Sequence, residues 1–256
     1  MTPSLQYPGP WRRPTPSGSG LRRTCGRLER ALHHYAMGLL LTAAALAAGF
    51  LLEVLLRSAS GPGAMRTLLE LVSLLGGLTV LGLIVSGLVF TLLGVLKCSA
   101  ALKRSRLNAL AFPAAYCSVI AALILLPVSF ATVILDPSPT GNLLLGVGAL
   151  FGFVGHGCFL VLLRKLARGF RDRRLGQTVA VYLGVWVAWC IAAITLSILL
   201  DGRHAGDAGL TTMIGVLALV VALALYLWLA TLVCRLRDLA KVVVAHGSLP
   251  APRPRW

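Results

Sequence analysis

Residues 143–176 read LLLGVGALFGFVGHGCFLVLLRKLARGFRDRRLG. The stretch opens as an apolar, glycine-rich run with one histidine, His156, inside it. It closes on Arg164, Lys165, Arg168, Arg171, Arg173 and Arg174. About 20 apolar residues at 1.5 Å rise cross a ~30 Å hydrocarbon core. The first part is therefore long enough to span a membrane, and the second is a basic brake at its edge. Working outward, the same alternation recurs. Apolar runs lie at about 35–56, 68–96, 110–135, 143–163, 178–200 and 210–234. In hydrocarbon every backbone N–H and C=O must be satisfied within the segment, so each run is expected to be a helix. The apolar/polar alternation of a barrel strand is missing. The expected fold is an all-α integral membrane protein, with six transmembrane helices arranged as three hairpins in one bundle. Pro127 falls inside the third run, where a kink is expected.

Composition agrees. The 256 residues are 57% hydrophobic and 12% charged, against about 45–50% and about 25% in soluble domains. A net charge of +16 is in the range of nucleic-acid binders. Here, however, the charge is blocked between apolar runs, where it sets orientation instead. No nucleic-acid partner is expected. Of the 24 lysines and arginines, only Arg57, Arg66 and Arg203 fall in the loops after runs 1, 3 and 5. The remaining 21 lie before run 1, between runs 2 and 3, between runs 4 and 5, and after run 6. The positive-inside rule then puts both termini in the cytoplasm. The bias toward Ala, Leu, Gly and Arg suits a GC-rich bacterium, so the expected location is the bacterial cytoplasmic (inner) membrane.

Residues 1–26 hold Pro3, Pro8, Pro10, Pro14 and Pro16 among Gly, Ser and Arg. They are expected to form a disordered basic tail, with no cleavable signal peptide and the first run as an uncleaved anchor. Residues 27–242 form the six-helix domain, and 243–256 a short basic tail containing prolines. A threefold two-helix repeat is suggested by Arg27-Leu28 before Tyr35, Arg174-Leu175 before Tyr182, and more loosely Arg106-Leu107 before Tyr116.

Two residues carry the chemistry an intramembrane site would need. His156 is ionisable and deep in a span, flanked by Gly155 and Gly157, and a buried titratable group marks a functional site by default. A hydrogen-bonded histidine within the helix packing reads the same way. Glu53 lies one turn inside the first run, near Arg57. Together they are the candidate transport or polar core site. Gly76 and Gly77, with Gly148, Gly152, Gly155 and Gly157, are expected to let helices approach closely, bringing spans 2 and 4 together at the bundle centre. The basic block Arg164–Arg174 is expected to meet anionic lipid headgroups on the cytoplasmic side.

Other classes lack their residues. Six spans is also the count of rhomboid proteases, but Ser86-Gly87 follows Ile84-Val85 and not the G-x-S-G setting. The carrier signature P-x-[DE]-x-x-[KR], the Walker loop and H-E-x-x-H are missing. No C-x-x-C pair occurs among Cys25, Cys98, Cys117, Cys158, Cys190 and Cys234, so neither zinc nor a redox pair is suggested. The sequence-level expectation is a non-enzymatic membrane protein without cofactor, working through packing, lipid, and a protein partner or a homo-oligomer. The alternative is a small-solute, ion or proton transporter or channel with its pathway near His156.

Overall fold

The structure, a computed structural model, describes residues 18–58, 64–103, 105, 107–134, 139–202 and 208–246. It contains six helices: α1 Gly18–Ser58, α2 Ala64–Leu102, α3 Asn108–Ile134, α4 Pro139–Gly169, α5 Arg173–Gly202 and α6 Ala208–His246. No strand occurs among the described residues. All six helices are long and apolar enough to cross a membrane. Pro139 opens α4, where its missing N–H costs nothing and its fixed φ is already helical. The α3 helix continues through Pro127.

All six helices exceed the roughly 20 residues a bilayer requires, three of them about twofold. α1 has 41 residues, and α2 and α6 have 39 each, or roughly 60 Å at 1.5 Å per residue. α1 begins at Gly18, two residues after Pro16, so residues 18–26 are helix and not tail. The physical reason is burial. Cys25 is fully buried, Gly26 lies near Val244 of α6, and Thr24 Oγ1 donates to the Gly20 carbonyl at 3.1 Å. At the other end α6 continues to His246 and buries Val243. Residues 243–246 therefore also leave the expected tail, while 1–17 and 247–256 lie outside the described residues.

The chain divides into two compact units. Unit 1 comprises 1–35, 92–183 and 232–256; unit 2 comprises 36–91 and 184–231. Every lysine and arginine except Arg57, Arg66 and Arg203 falls in unit 1. The large buried side chains are also concentrated there. They include Leu28, Leu32 and Tyr35 of α1, Leu102 of α2, Phe159, Leu160, Leu163 and Leu166 of α4, and Leu232 and Leu236 of α6. The N-terminal half of α1 is the hub of this unit. The Tyr35 ring lies 4.2 Å from that of Phe159 on α4, and its backbone lies against Gly94 of α2. Within unit 2 the buried apolar residues are few and mostly small, such as Ala36, Ala43 and Ala45. Long apolar side chains there face outward, among them Leu51, Leu75, Leu78, Ile191, Ile194, Met213 and Leu217. That pattern suits a lipid solvent, in which an outward leucine costs nothing.

Helices adjacent in sequence meet through small residues. On α1 and α2 the contacts pair Tyr35 with Gly94, Gly38 with Thr91, Thr42 with Gly87, Gly49 with Val80, and Leu52 with Gly76. Moving forward along α1 moves backward along α2, so the two run antiparallel. The centre of this seam is reciprocal. Gly38-x-x-x-Thr42 faces Gly87-x-x-x-Thr91, each glycine opposite the other helix's threonine. Thr42 Oγ1 donates to the Gly38 carbonyl at 2.9 Å, and Thr91 Oγ1 to the Gly87 carbonyl at 2.8 Å. Both hydroxyls are thereby satisfied inside their own helix, and the backbones can close on each other. α3 and α4 repeat the arrangement, with Gly155 against Ser118 and Cys117, Gly152 against Ala121, and Gly148 against Ile124 and Leu125.

Candidate functional site

The basic edge of unit 1 is where side-chain chemistry accumulates. It is centred on the turn from α4 to α5. Three backbone bonds close α4: Phe170 N–H to the Leu166 carbonyl at 2.9 Å, Arg171 N–H to Arg168 at 3.0 Å, and Asp172 N–H to Ala167 at 3.0 Å. The last two are the nested bonds of a Schellman cap, with Arg171 at the position that glycine usually takes. Its φ is +63°, a left-handed conformation that costs a residue with a Cβ roughly 1–2 kcal/mol. Asp172 then starts α5 by accepting the Leu175 N–H on Oδ1 at 2.9 Å, an N-cap. Phe170 and Leu175 are buried beneath the turn. Gly176 brings α5 down onto α4, because a Cβ there would stand 3.3 Å from Arg168 Cγ.

The cations ride on this frame. Arg164 is half-buried, whereas Lys165, Arg168, Arg171, Arg173 and Arg174 are exposed. Arg164 and Arg168 are one helical turn apart on α4, and Arg171 follows within the next turn. The Nε of Arg164 is buried and has no hydrogen-bond acceptor. The ion pairs among the described residues are Arg237–Asp238 at 3.1 Å and Lys241–Glu29 at 4.0 Å, and neither involves this turn. The one carboxylate within Arg164–Arg174, that of Asp172, is occupied by its capping bond.

A second polar group lies on α1. His34 Nδ1 is 2.6 Å from the Arg30 carbonyl, and its Nε2 is 3.0 Å from Lys97 Nζ on α2. A carbonyl only accepts and an ammonium only donates. Nδ1 of His34 thus faces an acceptor and Nε2 a donor. His33 Nδ1 likewise accepts from Arg237 of α6 at 3.4 Å. These contacts tie α1 to α2 and α6 at the basic edge.

His156 lies on α4, half-buried, one residue beyond the Gly155 contact with α3. Glu53 has its backbone in α1, and its side chain lies outside the described residues. Among the described residues, no group of three or more His, Cys, Asp or Glu is arranged to hold a metal ion, and no polar or charged residue belongs to the fully buried core.

The packing glycines divide. Gly148, Gly152 and Gly155 face α3, and Gly76 faces Leu52 of α1. Gly77 and Gly157 face open space, with nothing within 4 Å of an added Cβ. The glycines in contact on α2 and α4 thus serve α1 and α3. The tightest contacts are made at Gly38, Gly87 and Gly94. The available signal was Gly-x-x-x-Thr on each of two neighbouring helices, Gly38–Thr42 and Gly87–Thr91, although α1 also carries Gly20-x-x-x-Thr24. Comparison with protein-family models, with curated proteins and with solved structures found no match.

Proposed function

We propose that this chain is a non-enzymatic multi-pass membrane protein. It acts by close helix packing and by association with anionic lipid, with a protein partner or a second copy as the other candidate. The observation that carries this reading is the composition of the buried core. Among the described residues it holds no charged side chain, and its polar atoms are the hydroxyls of Tyr35 and Tyr182 and the thiols of Cys25 and Cys98, whereas a solute pathway or a catalytic constellation needs converging polar groups.

In this reading the six helices form three hairpins, with both termini and all the basic turns on the cytoplasmic face of a bacterial inner membrane. The antiparallel contacts of α1 with α2 and of α3 with α4 support the hairpins. A common burial pattern supports the threefold repeat. Leu28, Leu107 and Leu175 each follow an arginine, and each is buried. Four residues on, Leu32, Ala111 and Val179 are buried; seven on, Tyr35, Ala114 and Tyr182. Tyr116, 61% exposed, is not the counterpart of Tyr35; Ala114 is.

Native mass spectrometry of the detergent-released protein tests the function, with wild type beside His156→Ala. Lipid adducts alone in both forms are the expected result. A small molecule or ion bound to wild type and lost from the variant would overturn the packing reading in favour of transport.

A further inference from the structure

We propose that the α4–α5 turn is a discrete binding site for the phosphate of an anionic lipid headgroup, held by Arg164, Arg168 and Arg171. The proposal rests on the lipid-association reading above and gives it an address.

Three independent observations converge. The first is electrostatic. Six cations occupy Arg164–Arg174, none is ion-paired among the described residues, and their only carboxylate is committed to capping α5. Like charges one helical turn apart destabilise a helix, and Arg164 and Arg168 stand at that spacing. A bound anion reverses the sign of this interaction. The second is the buried Nε of Arg164, a donor without an acceptor. A guanidinium offers its N–H groups as a fork suited to phosphate oxygens, so one phosphate satisfies this donor and neutralises the neighbouring charge together. The third is Arg171, in the left-handed conformation that glycine adopts without strain. Strain of this kind collects at ligand clamps, and glycine there would relieve it only by deleting a guanidinium.

The occupant is a lipid and not free phosphate because of what adjoins the turn. It joins two helices that are each apolar enough to cross a membrane, Gly146–Gly169 and Arg173–Leu196. Along α5 the exposed residues Arg174, Gln177 and Val181 recur every three to four positions. They form one stripe, basic at the turn and apolar two turns further on. That stripe matches a molecule with an anionic head and an acyl tail.

The test uses the full chain in detergent, with added phosphatidylglycerol or phosphatidylcholine, and counts retained lipids by native mass spectrometry. One basic residue near an anionic surface contributes about 1 kcal/mol, roughly fivefold. Arg168→Gln/Arg171→Gln should therefore lower phosphatidylglycerol affinity about 25-fold and leave phosphatidylcholine unchanged. Arg22→Gln/Arg23→Gln removes the same charge from exposed sites on α1 and should change it less than twofold. Equal losses in the two double variants would overturn the discrete site while keeping a diffuse basic surface. No preference for phosphatidylglycerol in wild type would overturn the lipid reading itself. Full competition by millimolar inorganic phosphate would overturn the choice of lipid as occupant. Arg171→Gly guards against a folding artefact. It should unfold at a higher temperature than wild type yet bind phosphatidylglycerol about fivefold more weakly, and unchanged binding would remove Arg171 from the site.

Discussion

The α1–α2 seam gives the sharpest test of how these helices are held. An alanine Cβ at Gly38 would stand 2.5 Å from Thr91 N and 2.7 Å from the Gly87 carbonyl oxygen. Both are backbone atoms, so no side chain can rotate away. Relieving the clash requires the helices to part by about 1 Å. Overpacking of this kind costs about 1–3 kcal/mol, and a gap of that width forfeits a quarter to a half of each neighbouring van der Waals contact. Gly77 is the matched control. It sits in the same helix-packed environment by sequence, but nothing lies within 4 Å of an added Cβ, so Gly77→Ala gains helix propensity of about 0.8–1.0 kcal/mol. The two alanines should therefore differ by about 2–4 kcal/mol. Equilibrium unfolding in mixed micelles with rising dodecyl sulfate, followed by circular dichroism, measures the difference. Gly87→Ala, with Thr42 Oγ1 at 2.6 Å and Thr42 N at 3.0 Å from the new Cβ, should also destabilise. The double variant Gly38→Ala/Gly87→Ala should cost less than the sum of the singles, because one separation of the helices accommodates both methyls. Gly38→Ala and Gly77→Ala variants of equal stability would refute the seam.

Further outcomes follow from the same contacts. Asp172→Ala removes the cap of α5 and should lower stability by about 0.5–2 kcal/mol, while Asp172→Asn retains most of it; thermal unfolding in detergent separates the two. A double-mutant cycle on Tyr35 and Phe159, whose rings lie 4.2 Å apart, should give a coupling of about 0.5–1.5 kcal/mol; additive losses would show that the rings do not interact. Cys25 and Cys98 are fully buried and the other four cysteines only partly so; maleimide should label the former pair far more slowly in the folded protein, and all six alike after denaturation. For orientation, a single cysteine in place of exposed Lys103 should react with a membrane-impermeant maleimide only from the cytoplasmic side of vesicles, and one in place of Ser60 only from the opposite side.

What the sequence disclosed and what it withheld separate along a physical line. The six helices were legible because hydrocarbon acts on each segment alone. A run of Leu, Val and Ala is sufficient, and all six runs became helices apolar enough to span. The block Arg164–Arg174 was legible for the same reason, charge density being a local property. Pairwise contacts were not. Gly148 and Gly152 form a G-x-x-x-G within one helix and do pack, yet Gly77 and Gly157 look equivalent in sequence and face open space. The decisive pair, Gly38-x-x-x-Thr42 against Gly87-x-x-x-Thr91, is informative only once two segments some fifty residues apart are set antiparallel in one register. The start of α1 was misread because its apolar side is thin. Leu21, Cys25, Leu28 and Leu32 are spaced for one helical face, but they are outnumbered by arginine and glycine, so composition reads as tail where periodicity reads as helix.

That misreading bears on how the protein is built. Lipid provides no hydrophobic drive between helices already immersed in it, so a long leucine there is as stable facing acyl chains as facing a neighbour. Unit 2 matches that rule, with small residues at its contacts and large ones outward. Unit 1 departs from it by burying Leu28, Leu32, Leu102, Leu166, Phe170, Leu175 and Leu236 among arginines and lysines. Burial of large apolar side chains beside exposed cations is what water demands of a protein, not what lipid does. The extra length of α1, α2 and α6 therefore has a structural purpose. At their basic ends Leu28, Leu32, Leu102 and Leu236 are buried in the same unit as Leu166, Phe170 and Leu175, which flank the turn on which Arg164, Arg168 and Arg171 are mounted.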